Sequence, residues 1–192
     1  KVDGGAEVRS TPLIHNEHIF FGTESGDFWC VDFRGNVRWR FKAKRAVTSS
    51  PIILEDILYF TSMDSTMYAV DSKTGWIIWR YRMGKGSIST PAHFENCVIA
   101  GCADNNIYAV DIRNGKSSWQ YTTEHQVNGS PTVYKDMLYC GSVDGNLYCL
   151  DAKTGRFQWS FATKGPITST PIINDDVIYL SSFDHSIYAL PA

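Results

Sequence analysis

A period of 40 residues runs through this chain from end to end and limits what it can fold into more than any other feature. Trp39, Trp79, Trp119 and Trp159 stand 40 apart, as do Gly35, Gly75, Gly115 and Gly155. Prolines recur at Pro12, Pro51, Pro91, Pro131 and Pro171, with spacings of 39, 40, 40 and 40. Asp64, Asp104, Asp144 and Asp184 hold another phase. Tyr68, Tyr108, Tyr148 and Tyr188 hold a fifth, with Trp29 in that place in the first copy. Self-similarity at this period marks an array of supersecondary units, each too small to bury both of its faces alone. The single deletion lies in the first copy, where Arg34-Gly35 replaces a turn of the Lys73-Thr74-Gly75 type.

Each copy reads as four strands. In the second, Ser50-Pro51-Ile52-Ile53-Leu54 is a short apolar strand, and Ile57 to Ser62 is another, rich in β-branched and aromatic residues. A turn at Asp64 leads into Thr66 to Val70, and Asp71 to Gly75 turns the chain into Trp76 to Tyr81. Turn residues bound every run, as in an all-β fold, and no stretch has a 3.6-residue period, so helix content should be close to nil. Four short antiparallel strands per 40 residues make the blade of a β-propeller, whose sheets pack on neighbours through both faces. The expectation is one domain over residues 1–192, with about five blades: repeats near 10–48, 49–88, 89–128 and 129–168, and a partial one at 169–192 joined by 1–9.

The hairpin Ala69-Val70-Asp71-Ser72-Lys73-Thr74-Gly75-Trp76-Ile77-Ile78-Trp79 resembles the tryptophan-docking motif AxDxxTGxxxW of quinoprotein (PQQ-like repeat) propellers. Ala109-Val110-Asp111 to Trp119 and Cys149-Leu150-Asp151 to Trp159 repeat it, and Cys30-Val31-Asp32 to Trp39 is one residue short. The resemblance covers the full chain. It implies that the indole stacks between a peptide plane and the next blade's motif, while the Asp and Thr bond the turn backbone. The family holds quinone-dependent dehydrogenases and also non-catalytic propellers: the lipoprotein of the outer-membrane barrel-assembly machinery, kinase-linked sensors and propellers on adenylating enzymes. A shared fold does not settle an activity.

A dehydrogenase of this family needs calcium held by a Glu and an Asn, with an Asp as base, so hard oxygen ligands must converge. Many alcohol-oxidising members also carry an adjacent cysteine pair, and none occurs here. The aspartates fall mostly on repeat columns or in turns such as Asp175-Asp176, where turn chemistry accounts for them. No GxSxG, HExxH or P-loop is present. These features point to a scaffold without catalytic residues, cofactor or metal, acting as a protein-interaction or ligand-sensing module within a larger polypeptide. The alternative is a fragment of a quinone-dependent dehydrogenase whose cofactor ligands lie in blades outside this sequence.

A net charge of −2 and a pI near 6.2 predict no general polyanion-binding surface, so nucleic acid is not an expected partner. No apolar run approaches the 18 or so residues of a membrane span. The N-terminus lacks an initiator Met and the apolar core of a signal peptide, so a processed chain or excised fragment is expected. Five cysteines without CxxC spacing read as small buried hydrophobes, compatible with the cytoplasm, although the family is also periplasmic; the compartment is left open. If the Asp144-Gly145 hairpin is symmetric, Cys140 and Cys149 face each other, either as packed thiols or as a cross-strand disulfide. His15 and His18 flank a tight turn, a surface metal site only in principle. Asn128-Gly129-Ser130 is formally a sequon but enters an inner strand.

Binding residues are sought where the repeat varies, in loops joining an outer strand to the next inner one. The candidate ligand or partner face is Lys42, Lys44, Arg45, Arg82, Lys85, His125 and Lys164, with basic charge concentrated on the first two blades. An acidic peptide or a phosphate-bearing ligand would be steered there. At the C-terminus Pro191 stands where a motif Asp belongs, so the last copy lacks its own outer strand. Lys1-Val2-Asp3 aligns as the tail of an outer strand. Two arrangements follow: the N-terminal segment closes the last blade, or that blade stays open, in a fragment of a seven- or eight-bladed ring or in a homodimer joined through open edges.

Overall fold

The computed structural model describes all 192 residues and holds nineteen strands and no helix. No helix, accordingly, is long and apolar enough to cross a membrane. The chain divides into two compact units, Lys1–Pro91 and Ala92–Ala192, with the boundary between the second and third repeats.

The first unit contains two four-stranded antiparallel blades. One is β1 (Leu13–His15), β2 (His18–Gly22), β3 (Asp27–Asp32) and β4 (Val37–Lys42). The other is β5 (Ile52–Leu54), β6 (Ile57–Ser62), β7 (Thr66–Asp71) and β8 (Ile77–Arg82). Middle strands such as β7 are buried on both faces, which is why their sequences do not alternate, whereas the outer strand β8 does alternate. Phe20, Phe28 and Cys30 of one blade pack on Leu58, Phe60 and Tyr68 of the other, with Phe28 and Phe60 stacked at 4.1 Å.

The docking hairpin behaves as the resemblance implies. Oδ1 of Asp71 accepts from the Lys73 and Thr74 amides and from the Thr74 hydroxyl at 2.7–3.0 Å. Gly75 closes the turn at φ +74, and a Cβ there would stand 2.7 Å from the Trp39 ring, so glycine is required by both conformation and space. Nε1 of Trp39 donates to the Ser72 carbonyl at 2.9 Å. A β-bulge at Ala69/Val70 sets Trp79 opposite Ala69, and the same irregularity recurs in the other four-stranded blades.

The second unit contains β9 (Ala92–Phe94), β10 (Cys97–Gly101), β11 (Asn106–Asp111) and β12 (Ser117–Thr122) as one blade. β13 (Thr132–Tyr134), β14 (Met137–Gly141), β15 (Asn146–Asp151) and β16 (Phe157–Ala162) form the next. Trp119 covers Gly155 and donates to the Ala152 carbonyl at 3.2 Å, so docking is the same here. The last sheet has three strands, β17 (Ile172–Asn174), β18 (Val177–Ser182) and β19 (Ser186–Pro191).

Two expectations need correction. Residues 1–12 contain no strand, so the N-terminal segment does not supply the last sheet's fourth strand. The cause is local: Asp3 Oδ1 accepts the Gly5 amide at 2.9 Å, Gly5 turns at φ +70, and the Glu7 carbonyl is taken by the Glu24 amide. Of the two arrangements, the open last blade is the one found. Cys140 and Cys149 are not opposite each other either: the register pairs Cys140 with Tyr148 and Tyr139 with Cys149. One residue of register reverses the face. Cys140 packs on the third blade and Cys149 on the last sheet, and all five cysteines are free thiols. Burial pushes Cys140 up to about 12 and Cys149 up to about 11, which keeps both unreactive.

Candidate functional site

The tips of the β2–β3 and β6–β7 hairpins share one side of their blades with the loops leaving the outer strands. The Lys44 amide donates to Asp64 Oδ2 at 3.0 Å, and the Ala43 amide donates to the Gly26 carbonyl. Beside that contact lies a cleft of about 310 Å³, lined by Lys44, Asp64, Thr66, Tyr68, Arg80 and Arg82. Thr66 pairs with Arg82 and Tyr68 with Arg80 across β7 and β8, so alternation puts all four side chains on one face. Asp64 is buried at its base; Oδ2 also accepts from the Tyr68 hydroxyl at 2.7 Å, and Oδ1 has no partner. Burial, reinforced by the Asp64 carboxylate, pushes the Tyr68 phenol up to about 12, so it stays a donor. Arg82 donates through Nη1 to the Asp64 carbonyl at 2.9 Å. None of Lys44, Arg80 and Arg82 forms an ion pair, and all three are exposed. Three cations against one carboxylate give the cleft a net positive charge.

The family described as outer membrane protein assembly factor BamB matches residues 1–131 and again 123–192. The chain belongs to that family. Among solved structures, BamB from Moraxella catarrhalis aligns with a TM-score of 0.85 at 24% identity, over 98% of this chain and 60% of that one. The computationally designed Ika8 protein aligns at 0.85 and 15% identity, over 97% of this chain and 58% of that one. Quinohemoprotein alcohol dehydrogenase from Comamonas testosteroni aligns at 0.85 and 16% identity, over 97% and 41%. At such identities these likenesses show the propeller fold, and this chain spans less than two thirds of each structure's own length. No curated protein matches the chain.

Within this BamB-family chain the expected binding residues separate. Lys44 and Arg82 line the cleft together. Lys42 does not, because its Nζ pairs with Asp27 Oδ2 at 3.1 Å, while Arg40 Nε pairs with Oδ1 at 2.7 Å. Asp27 is buried, and the Arg40 hydrogen bond, followed by those from Ser25 and Lys42, holds its carboxyl far below the usual range. Arg45 and Lys85 are exposed in the loops after β4 and β8 and do not line the cleft. In the second unit, His125 is exposed and its Nδ1 accepts from the Gln126 amide at 2.9 Å. Lys164 is exposed there too, its amide donating to Asp184 Oδ2 at 2.9 Å. Arg80 lies in β8 two residues before Arg82 and was not among the expected face residues, although it falls in the same basic stretch between Trp79 and Pro91. The signal for it was the column Arg40, Arg80, Gln120, Ser160, charged in only two of four repeats.

A second cleft of about 270 Å³ touches His15, His18, Phe20, Cys30, Arg38 and Lys73 among others. Its histidines are engaged: His15 Nε2 lies 2.8 Å from Asn16 and 3.5 Å from Asp56, and His18 Nδ1 lies 2.6 Å from the Asn16 carbonyl. No group of three or more His, Cys, Asp or Glu side chains converges anywhere in the chain in a way that could hold a metal ion.

Proposed function

We propose that this chain is a non-enzymatic, protein-binding propeller module that receives an acidic partner at the rim of its second blade. The observation that carries this reading is the gathering of Lys44, Arg80 and Arg82, unpaired, around one cleft. Kinship with a family of assembly factors supports a partner that is a protein. Panning a displayed library of random peptides against the full chain tests the idea. The expected result is enrichment of sequences rich in Asp and Glu, with binding that weakens steeply as salt rises. A library that enriches nothing overturns the proposal. So does calorimetry showing tight, calcium-dependent quinone binding, which would favour the dehydrogenase-fragment reading.

A further inference from the structure

The cleft carries a spacing as well as a charge. Arg80 and Arg82 leave the same face of β8 two residues apart, which separates their origins by about 7 Å. Their cross-strand neighbours, Tyr68 and Thr66, carry no charge that would draw the guanidinium groups inward. Arg82 is oriented by one bond to the Asp64 carbonyl and keeps its other donors. An extended peptide presents alternate side chains on one face with this same repeat, whereas a helix brings residues three or four apart together.

We infer that the cleft binds an extended acidic segment whose two carboxylates, two residues apart, pair with Arg80 and Arg82 while Lys44 steers from the loop. The inference rests on the reading of the chain as a protein-binding module and adds the register of the ligand. Guanidinium forks match carboxylates two bonds at a time. The buried Asp64 carboxylate at the base repels a doubly charged phosphate more strongly than a singly charged carboxylate. The site occurs once in the repeat. In the first blade Asp27 closes the equivalent cations off, and at the equivalent places the third blade has Gln120 and Thr122, the fourth Ser160 and Ala162.

The test uses the full chain and fluorescein-labelled synthetic peptides of identical composition, with two glutamates placed adjacent, two apart or three apart. Fluorescence anisotropy should show the two-apart isomer binding about tenfold tighter than the others. Arg80→Gln together with Arg82→Thr, the residues standing there in the third blade, should weaken that isomer by at least about tenfold. Thermal unfolding of the double variant shows whether it is folded, and the isomer series on the unmodified protein decides the matter if it is not. Equal affinity of the three isomers, or full affinity in the folded double variant, overturns this inference and leaves a protein-binding module standing. Displacement of the peptide by micromolar inorganic phosphate overturns the assignment to carboxylates. Failure of every acidic peptide to bind removes the broader reading too.

Discussion

In the first blade Arg40 and Lys42 close on Asp27 at 2.7 and 3.1 Å, whereas in the second Arg80 and Arg82, at the same places on the outer strand, face Tyr68 and Thr66. The two strand pairs share bulge and register, although the turn of the first is one residue shorter. They differ in where the acid sits. The second blade keeps Asp64 at the hairpin tip, where it takes the Tyr68 hydroxyl and the Lys44 amide from the preceding blade's loop. The first has Ser25 at the tip and its acid two residues later, inside β3, where burial demands counter-charges. One displaced carboxylate therefore engages a pair of cations that stay without an ion-pair partner in the second blade. The lesson is that a basic residue counts toward a partner only after the carboxylates of its own sheet have been assigned.

The largest effect should come from breaking the joint that holds these two hairpins side by side. Gly75→Ala puts a Cβ 2.7 Å from the Trp39 ring at a φ of +74. Left-handed strain and overpacking together should cost about 3 kcal/mol, read as a lower midpoint in urea denaturation. An unchanged midpoint would mean that the indole does not rest on this turn.

Asp27→Thr gives the first blade the residue that the second has at this place. It removes a buried carboxylate and releases two half-exposed cations to solvent, so the expected loss is about 2 kcal/mol, less than for a fully enclosed pair. It should also create a second acidic-peptide site, raising the stoichiometry by calorimetry from one to two. A stoichiometry that stays at one would show that unpaired arginine and lysine on this face are not sufficient.

The same residue sets a pH signature. The folded pKa of Asp27 lies below its unfolded value, so its stabilisation is complete above about pH 4 and is lost as pH falls toward the folded pKa. The unmodified protein should lose stability more steeply below about pH 4 than Asp27→Asn, in which this contribution is absent at every pH. Parallel acid-denaturation curves would show that the clasp contributes no pH-dependent stability.

Much of this was legible in the sequence, for a physical reason. Trp39, Gly75 and Asp71 sit in columns because the docking turn demands an indole, a left-handed residue and a carboxylate at fixed spacing. Lys44 and Arg82 were legible because they break the repeat. The pairing of Lys42 was hidden because its partner Asp27 lies 15 residues back in the chain yet directly across the strand pair. Asp27 was itself a visible departure, standing where the other repeats have Thr66, Asn106, Asn146 and Ser186. The cysteine pairing failed on a finer point: the hairpin register centres on Asp144 rather than between Asp144 and Gly145, and that turns Cys140 and Cys149 to opposite faces.

The smallest expected difference tests the hairpin-tip column alone. Tyr68 donates its hydroxyl to Asp64, and Trp29, its counterpart in the first blade, has a buried indole N–H with no partner. Tyr68→Phe removes a bond to a buried carboxylate and should cost about 1–2 kcal/mol. Trp29→Phe removes a donor that is already unsatisfied, a gain, but also weakens the contact with Arg40, whose Cζ lies 4.7 Å from the indole centroid. These terms oppose each other, and the net change should stay within about 0.5 kcal/mol in either direction. If both substitutions cost the same, the tyrosines are kept for ring packing alone. The Asp64 carboxylate would then be held by the Lys44 amide, and the two hairpins would differ only in the exposed charges of their outer strands.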